Sequence, residues 1–201
     1  MTEADVEIIR KELCFHGFFR MERYTLRHRL FNGDWSQPIT RELLERGHAA
    51  AILPYDPVKD QVVLIEQFRV GAMSIATGPW LLEIVAGIIE TNEAAEEVVR
   101  REAVEEAGCN ILDLVPLYDY LVSPGGTTER IALFCGKVDS TDMGGIYGKM
   151  EEGEDIKVHV MSLDSVLALL SSGKIISASA IIALQWLALN REYLHKIWLS
   201  G

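Results

Sequence analysis

Three glutamates, Glu102, Glu105 and Glu106, stand close together in the middle of the chain. Small apolar residues recur every four positions from 95 to 107, which predicts an α-helix over about 93–107. At 3.6 residues per turn the three carboxylates fall within about 100° of arc and share one helix face. Crowded carboxylates repel one another in water, but a hard divalent cation binds them through oxygen.

A solvated acidic helix face is the ordinary alternative, because glutamate is a good helix former. The surrounding residues favour the metal site instead. The stretch from Gly87 to Cys109 resembles the Nudix box, in which seven residues of fixed type stand at fixed spacings. All of them are present here, as Gly87, Glu93, Arg101, Glu102, Glu105, Glu106 and Gly108.

The resemblance implies a metal-dependent hydrolase in which water attacks a phosphorus atom of a nucleoside diphosphate derivative. Glu102 and Glu106 would be the main metal ligands, with Glu105 close by. Ala86 would add its backbone carbonyl, and Arg101 would orient the glutamates. The expected cofactor is Mg²⁺, for which Mn²⁺ can substitute.

The general base is expected outside the box, because the box carboxylates are taken up by metal. The acidic, glycine-containing segment 150–155 is the candidate source, and its composition alone equally fits a solvated loop. By resemblance Glu152 is the base, with Glu151 and Glu154 as rivals.

Further segments resemble one branch of the family, the bacterial ADP-ribose pyrophosphatases. Pro124 follows the box at the position that marks this branch, and segments 123–130 and 27–33 are similar to its loops. The branch splits ADP-ribose into AMP and ribose 5-phosphate. It also forms homodimers whose N-terminal strands cross to the partner.

The same resemblance assigns the substrate-binding residues. Phe18 and Arg41 would grip the adenine, Arg69 would contact the diphosphate, and Glu129 would reach the terminal ribose. Each has a plainer interpretation: Phe18, next to Phe19, fits a dimer core, and a lone arginine after a strand is usually solvated.

Two other functions stay open at this point. GDP-mannose or another nucleotide sugar is an alternative substrate, because related dimeric members share the N-terminal ribbon. A sensor that binds ADP-ribose without cleaving it is a different class, but such proteins commonly lose box glutamates and this chain retains them.

The elements that must position these residues form two parts. Residues 1–45 form an N-terminal part, in which the rough alternation of apolar and charged side chains over 5–31 predicts an antiparallel β-ribbon. Such a ribbon is unstable without a partner surface. Residues 46–201 mix strands and helices, with strands at 48–54, 61–67, 80–85, 114–121, 130–138 and 156–161 and a polar loop over 139–154. We predict an α/β (α+β) fold, the Nudix α/β/α sandwich with a mixed sheet.

The ends of the glutamate-bearing helix are also predicted. Thr91 or Asn92 is the expected N-cap, and Gly108 the expected stop. Glu93 is expected to project from the side of the helix opposite the three glutamates, as a structural partner rather than a metal ligand.

The composition of the chain limits its possible partners and location. A net charge of −11 argues against nucleic acid held on a broad basic patch, but not against a small anionic substrate bound through a cation. The N-terminus is acidic, and no apolar run approaches the ~20 residues of a membrane span. Three cysteines without metal-ligand spacing are typical of reduced thiols, so a cytoplasmic location is expected.

Overall fold

The computed structural model describes residues 2–199, apart from the side chain of Glu152. The chain divides into two compact units. The first comprises residues 1–48 and 121–130, and the second comprises residues 49–120 and 131–201. The predicted division at residue 45 and the exchange of the ribbon in a dimer stay predictions.

The first unit is built on a three-stranded antiparallel sheet in the order β1-β2-β3. Charged and apolar residues are interleaved along these strands, and β-bulges interrupt the pairing of β1 with β2. Segment 121–130 joins this unit through a bridge between Thr127 and Leu44. The strands are β1 (Val6–His16), β2 (Arg20–His28) and β3 (Ile39–Glu45).

The second unit contains a mixed sheet in the order β10-β11-β5-β4-β9-β8, with β6 paired to β5 and β7 paired to β4. Strands β4 and β9 are parallel, whereas β5 and β7 pair with β4 in antiparallel fashion. The strands are β4 (Ala49–Asp56), β5 (Gln61–Phe68), β6 (Trp80–Glu83), β7 (Val85–Ile88), β8 (Asp113–Leu121), β9 (Arg130–Lys137), β10 (Gly145–Tyr147) and β11 (Ile156–Ser162).

Two predicted segments differ in detail. The single strand predicted at 80–85 is two strands, because β6 pairs with β5 while β7 pairs with β4. The polar loop predicted at 139–154 contains the short strand β10 and a 3-10 turn at Met150–Glu152.

Helices cover both faces of the mixed sheet, and they are α1 (Ala95–Ala107), α2 (Leu163–Ser171) and α3 (Ala178–Leu199). Successive residues of a strand point to opposite faces. Accordingly, Ala50 and Ile52 of β4 pack in the core beneath α1, whereas Ala51 and Leu53 pack in the core with α2 and α3. The predicted α/β/α sandwich is therefore confirmed.

The ends of α1 agree with the sequence prediction at one end only. Gly108 ends the helix in the left-handed conformation, with φ of 62°. At the start the prediction was wrong, because Ala94 is the N-cap residue and its N–H is bound by the carboxylate of Glu97 at 3.1 Å. Asn92 has a left-handed φ of 69° and lies in the turn before the helix. Among the described residues, no helix is both long and apolar enough to cross a membrane.

Candidate active site

Helix α1 and strand β7 together position the two glutamates that the sequence predicts as main ligands. Glu106 is 4% exposed, and one of its carboxylate oxygens accepts a hydrogen bond from the N–H of Ala86 at 3.1 Å. Glu102 lies against Gly87, where any added Cβ atom would collide with its carboxylate. A glycine at this position therefore lets the helix bring Glu102 onto the strand.

The electrostatic environment of both glutamates disfavours a negative charge. Burial raises the pKa of Glu106 to about 8, against the opposing hydrogen bond from Ala86, and the charges of Glu102 and Glu154 add to the increase. Burial also raises the pKa of Glu102, although the neighbouring Arg101 lowers it. A bound cation would relieve this repulsion.

Arg101 links the start of the box to its glutamates. Its guanidinium group binds the carboxylates of Glu93 at 3.1 Å, Glu102 at 2.7 Å and Glu105 at 3.5 Å. Glu93 precedes the helix instead of projecting from its opposite side, so that part of the prediction was wrong. Because the chain turns at Asn92, Glu93 reaches the same arginine as the other two glutamates.

The acidic segment after β10 reaches the same group of carboxylates. Glu154 is near enough to Glu102 and Glu106 for its charge to act on both. Glu151 is exposed, and the side chain of Glu152, the predicted base, lies outside the described part of the chain.

The next question is whether the described side chains could hold a divalent cation. As they stand, no three carboxylate, histidine or cysteine side chains among them converge tightly enough to hold a metal. Cationic side chains bind the carboxylates instead, Arg101 on Glu102 and Lys149 on Glu105 at 2.9 Å. Buried carboxylate oxygens beside the backbone of β7 nevertheless form the hard donor set that Mg²⁺ or Mn²⁺ prefers, so the residues fit such an ion.

Arg69, predicted to contact a diphosphate, follows β5 and forms a 2.6 Å ion pair with Glu83 at the end of β6. Glu83 is largely buried, whereas the arginine is half-exposed. The positive charge of Arg69 also acts on Glu106, where it opposes the larger effect of burial on the pKa. Arg69 therefore lies near enough to Glu106 for its charge to act there, while its predicted contact with a diphosphate stays a prediction.

The other three predicted binding residues lie in the first unit. Phe18 is 86% exposed next to Phe19, and the exposed Arg41 donates a hydrogen bond to the carbonyl of Thr40. Arg41 pairs with Tyr24 in the sheet, whereas Phe18 precedes Arg20 at the far end of β2.

Glu129, predicted to reach the terminal ribose, is buried in the first unit. It is 7% exposed, and its carboxylate lies 3.4 Å from the guanidinium group of Arg46. The predicted roles of Phe18, Arg41 and Glu129 stay predictions.

Sequence reasoning missed two residues that contact the site, Glu83 and Lys149. Glu83 had a weak signal, since it is the one charged residue in an apolar run from 80 to 89. Lys149 had none, because its contact with Glu105 joins segments that are far apart in the chain.

Comparisons with known proteins show which family this chain resembles. A NUDIX domain model matches residues 45–181. An ADP-ribose pyrophosphatase of Escherichia coli K12 is 50% identical over 194 residues, which cover 96% of this chain and 93% of that protein. An ADP-ribose pyrophosphatase of Haemophilus influenzae is 44% identical over 200 residues, covering 98% and 92%.

A more distant relative and a solved structure complete the comparison. A GDP-mannose pyrophosphatase of Pectobacterium atrosepticum is 32% identical over 183 residues, covering 90% of this chain and 93% of that protein. The crystal structure of an ADP compounds hydrolase superposes with a TM-score of 0.70 at 23% identity and covers 96% of each chain. That likeness concerns the fold.

Proposed function

The chain belongs to the Nudix hydrolase family, and from this premise we propose that it hydrolyses the diphosphate of ADP-ribose to AMP and ribose 5-phosphate. The observation that carries the proposal is the placement of Glu102 and Glu106 against the backbone of β7, with the charge of Glu154 near enough to act on both. The relatives named ADP-ribose pyrophosphatase, alike over nearly the whole chain, support the choice of substrate.

Glu102 and Glu106 would hold the metal, Mg²⁺ or in its place Mn²⁺, together with Glu105 and the carbonyl of Ala86. When bound, the ion would neutralise the diphosphate and lower the pKa of water. Arg101 keeps the glutamates in place through the contacts described above.

The remaining roles fall to residues around the carboxylates. Arg69, held by Glu83, presents a forked guanidinium group suited to phosphate oxygens. Glu152 is the proposed base that takes the proton of the attacking water. Glu154 is the alternative, which its position next to Glu102 and Glu106 supports.

The adenine would lie between Phe18 and Arg41, with Glu129 at the terminal ribose. We propose a homodimer in which the N-terminal strands cross to the partner, so that Phe18 and Arg41 of one adenine site come from different subunits. Strand β1 supports this, because it pairs only with β2 within the described residues and exposes apolar side chains along its length. Free cysteines 14, 109 and 135 support a cytoplasmic location.

GDP-mannose is the second candidate substrate, favoured by the 32% identical relative of that name. A single assay separates the candidates: the purified protein with Mg²⁺ is offered ADP-ribose, ADP-glucose and GDP-mannose, and the released nucleoside monophosphate is measured. AMP formed fastest from ADP-ribose is the expected result. Faster turnover of GDP-mannose would contradict the proposal, and tight binding of ADP-ribose without AMP would favour a sensor.

A further inference from the structure

Lys149 lies between the acidic segment and the carboxylates of α1. Its ammonium group forms a 2.9 Å ion pair with Glu105. Its backbone N–H donates to the carboxylate of Glu154 at 3.1 Å, and its carbonyl accepts from the N–H of Glu154 at the same distance. One residue thus contacts a box glutamate with its side chain and a second acidic residue with its backbone.

The segment that carries Lys149 closes on itself as a compact turn. Gly153 adopts a left-handed φ of 74° and donates to the carbonyl of Met150. Gly148 also has a positive φ, of 97°, and an added Cβ would press on Glu154. Segment 148–155 is therefore held together by its own backbone contacts, and the Lys149–Glu105 ion pair joins it to α1.

The Lys149–Glu105 ion pair forms beside the buried carboxylates of α1. The charges of Glu105 and Glu154 act on Glu102, and those of Glu102 and Glu154 act on Glu106. Without a positive charge between them, the segment and α1 repel each other. A divalent cation would supply that charge more strongly than an ammonium group.

We propose that Lys149 is a positioning residue that holds segment 148–155 on α1 until a divalent cation binds, and that its ammonium group competes with the cation for the carboxylates. The inference rests on the proposed metal-dependent function. It leads to opposite effects on two measurable quantities, because removing the ammonium group loosens the segment and at the same time strengthens cation binding. If the role of Lys149 were merely structural, its removal would loosen the segment without strengthening cation binding.

The test compares the unaltered protein with Lys149→Met, which keeps the length of the side chain, and Lys149→Arg, which keeps its charge. Lys157→Met is the matched control, since Lys157 is an exposed lysine on the adjacent strand β11. Hydrogen exchange is followed in EDTA for the peptide that covers 148–155. Mn²⁺ binding is measured without substrate, from the free-ion signal in electron paramagnetic resonance.

In Lys149→Met we expect about two- to fivefold faster exchange of segment 148–155 in EDTA, the range of a partly exposed ion pair, and Mn²⁺ binding tighter by a similar factor. Lys149→Arg and Lys157→Met should match the unaltered protein in both. Unchanged exchange in Lys149→Met overturns the proposal, and so does equal or weaker Mn²⁺ binding. Neither measurement uses substrate, so failure to cleave ADP-ribose would overturn the proposed function alone.

Discussion

Glu106 is the residue at which burial and charge conflict most directly. It is almost completely buried, one of its oxygens is held by Ala86, and burial raises its pKa to about 8. Glutamine has nearly the same shape as glutamate but carries no charge. Substitution by glutamine therefore separates the charge of the residue from its packing.

Glu106→Gln should lower kcat for ADP-ribose at least about a hundredfold, equivalent to ~2.7 kcal/mol of transition-state stabilisation. Thermal unfolding in EDTA should not occur at a lower temperature than in the unaltered protein, because the buried negative charge of Glu106 does not stabilise the fold. Glu96→Gln is the control, an exposed glutamate in the first turn of the same helix. An equal loss of activity in both variants would contradict the metal-binding role.

The identity of the base is tested by a pair of variants in the acidic segment. Glu152→Gln is expected to lower kcat by about 10²–10⁴-fold, the usual contribution of general base catalysis. Mn²⁺ binding and KM should change little, since the proposed base holds neither metal nor substrate. Glu154→Gln is measured beside it, and a larger fall of kcat in Glu154→Gln would transfer the role to Glu154.

At the scale of elements, two glycines decide how closely α1 approaches its neighbours. Gly87 admits the carboxylate of Glu102 onto β7. Gly108 ends the helix with φ of 62° and packs against the ring of Tyr147 in β10. Helix α1 thus packs closely against β7, which supports its glutamates, and against β10, which leads into the acidic segment.

Gly108→Ala should lower the free energy of unfolding by more than the ~1–2 kcal/mol that the left-handed conformation alone costs an alanine, because the added Cβ meets Tyr147. Urea unfolding would measure the loss. Gly173→Ala is the matched control, with a similar φ of 73° and open space around the added atom. Losses of the same size in both variants would show that Tyr147 moves aside without cost.

At the scale of the whole molecule, the two units bury their apolar residues differently. In the second unit both faces of the sheet are covered by helices and both hold buried cores. In the first unit β1, which pairs only with β2 among the described residues, leaves large apolar side chains exposed, which is unusual for a surface that faces solvent. They are Val6, Ile8, Ile9, Leu13 and Phe15.

Leu13→Glu tests whether this surface is a dimer interface. In light scattering after gel filtration, the unaltered protein should have twice the 22.5 kDa mass of the chain, and the variant should shift towards the monomer, because a charge is costly to bury. KM for ADP-ribose should rise with the shift, since Phe18 and Arg41 would no longer meet. Val58→Glu, at an exposed position of the second unit, is the control. A monomeric unaltered protein would contradict the dimer.

The sequence by itself determined the features that depend on neighbouring residues. The period of α1, its stop at Gly108 and the shared face of Glu102 and Glu106 follow from helix geometry and backbone preference, and the structure has all of them. The start of α1 was predicted wrongly, because Glu97 supplies the cap that a polar residue at 91 or 92 was expected to give.

Tertiary structure alone decided which charges meet. Glu83 binds Arg69 because β6 pairs with β5, and Lys149 reaches Glu105 because β10 brings its segment to the end of α1. Neither pairing could be predicted from the sequence, since Arg69 and Glu83 meet only across the β5–β6 pair, and Lys149 and Glu105 come from segments far apart in the chain. The box could thus be recognised from residue types and spacing, whereas the cations around its carboxylates depend on the packing of the folded chain.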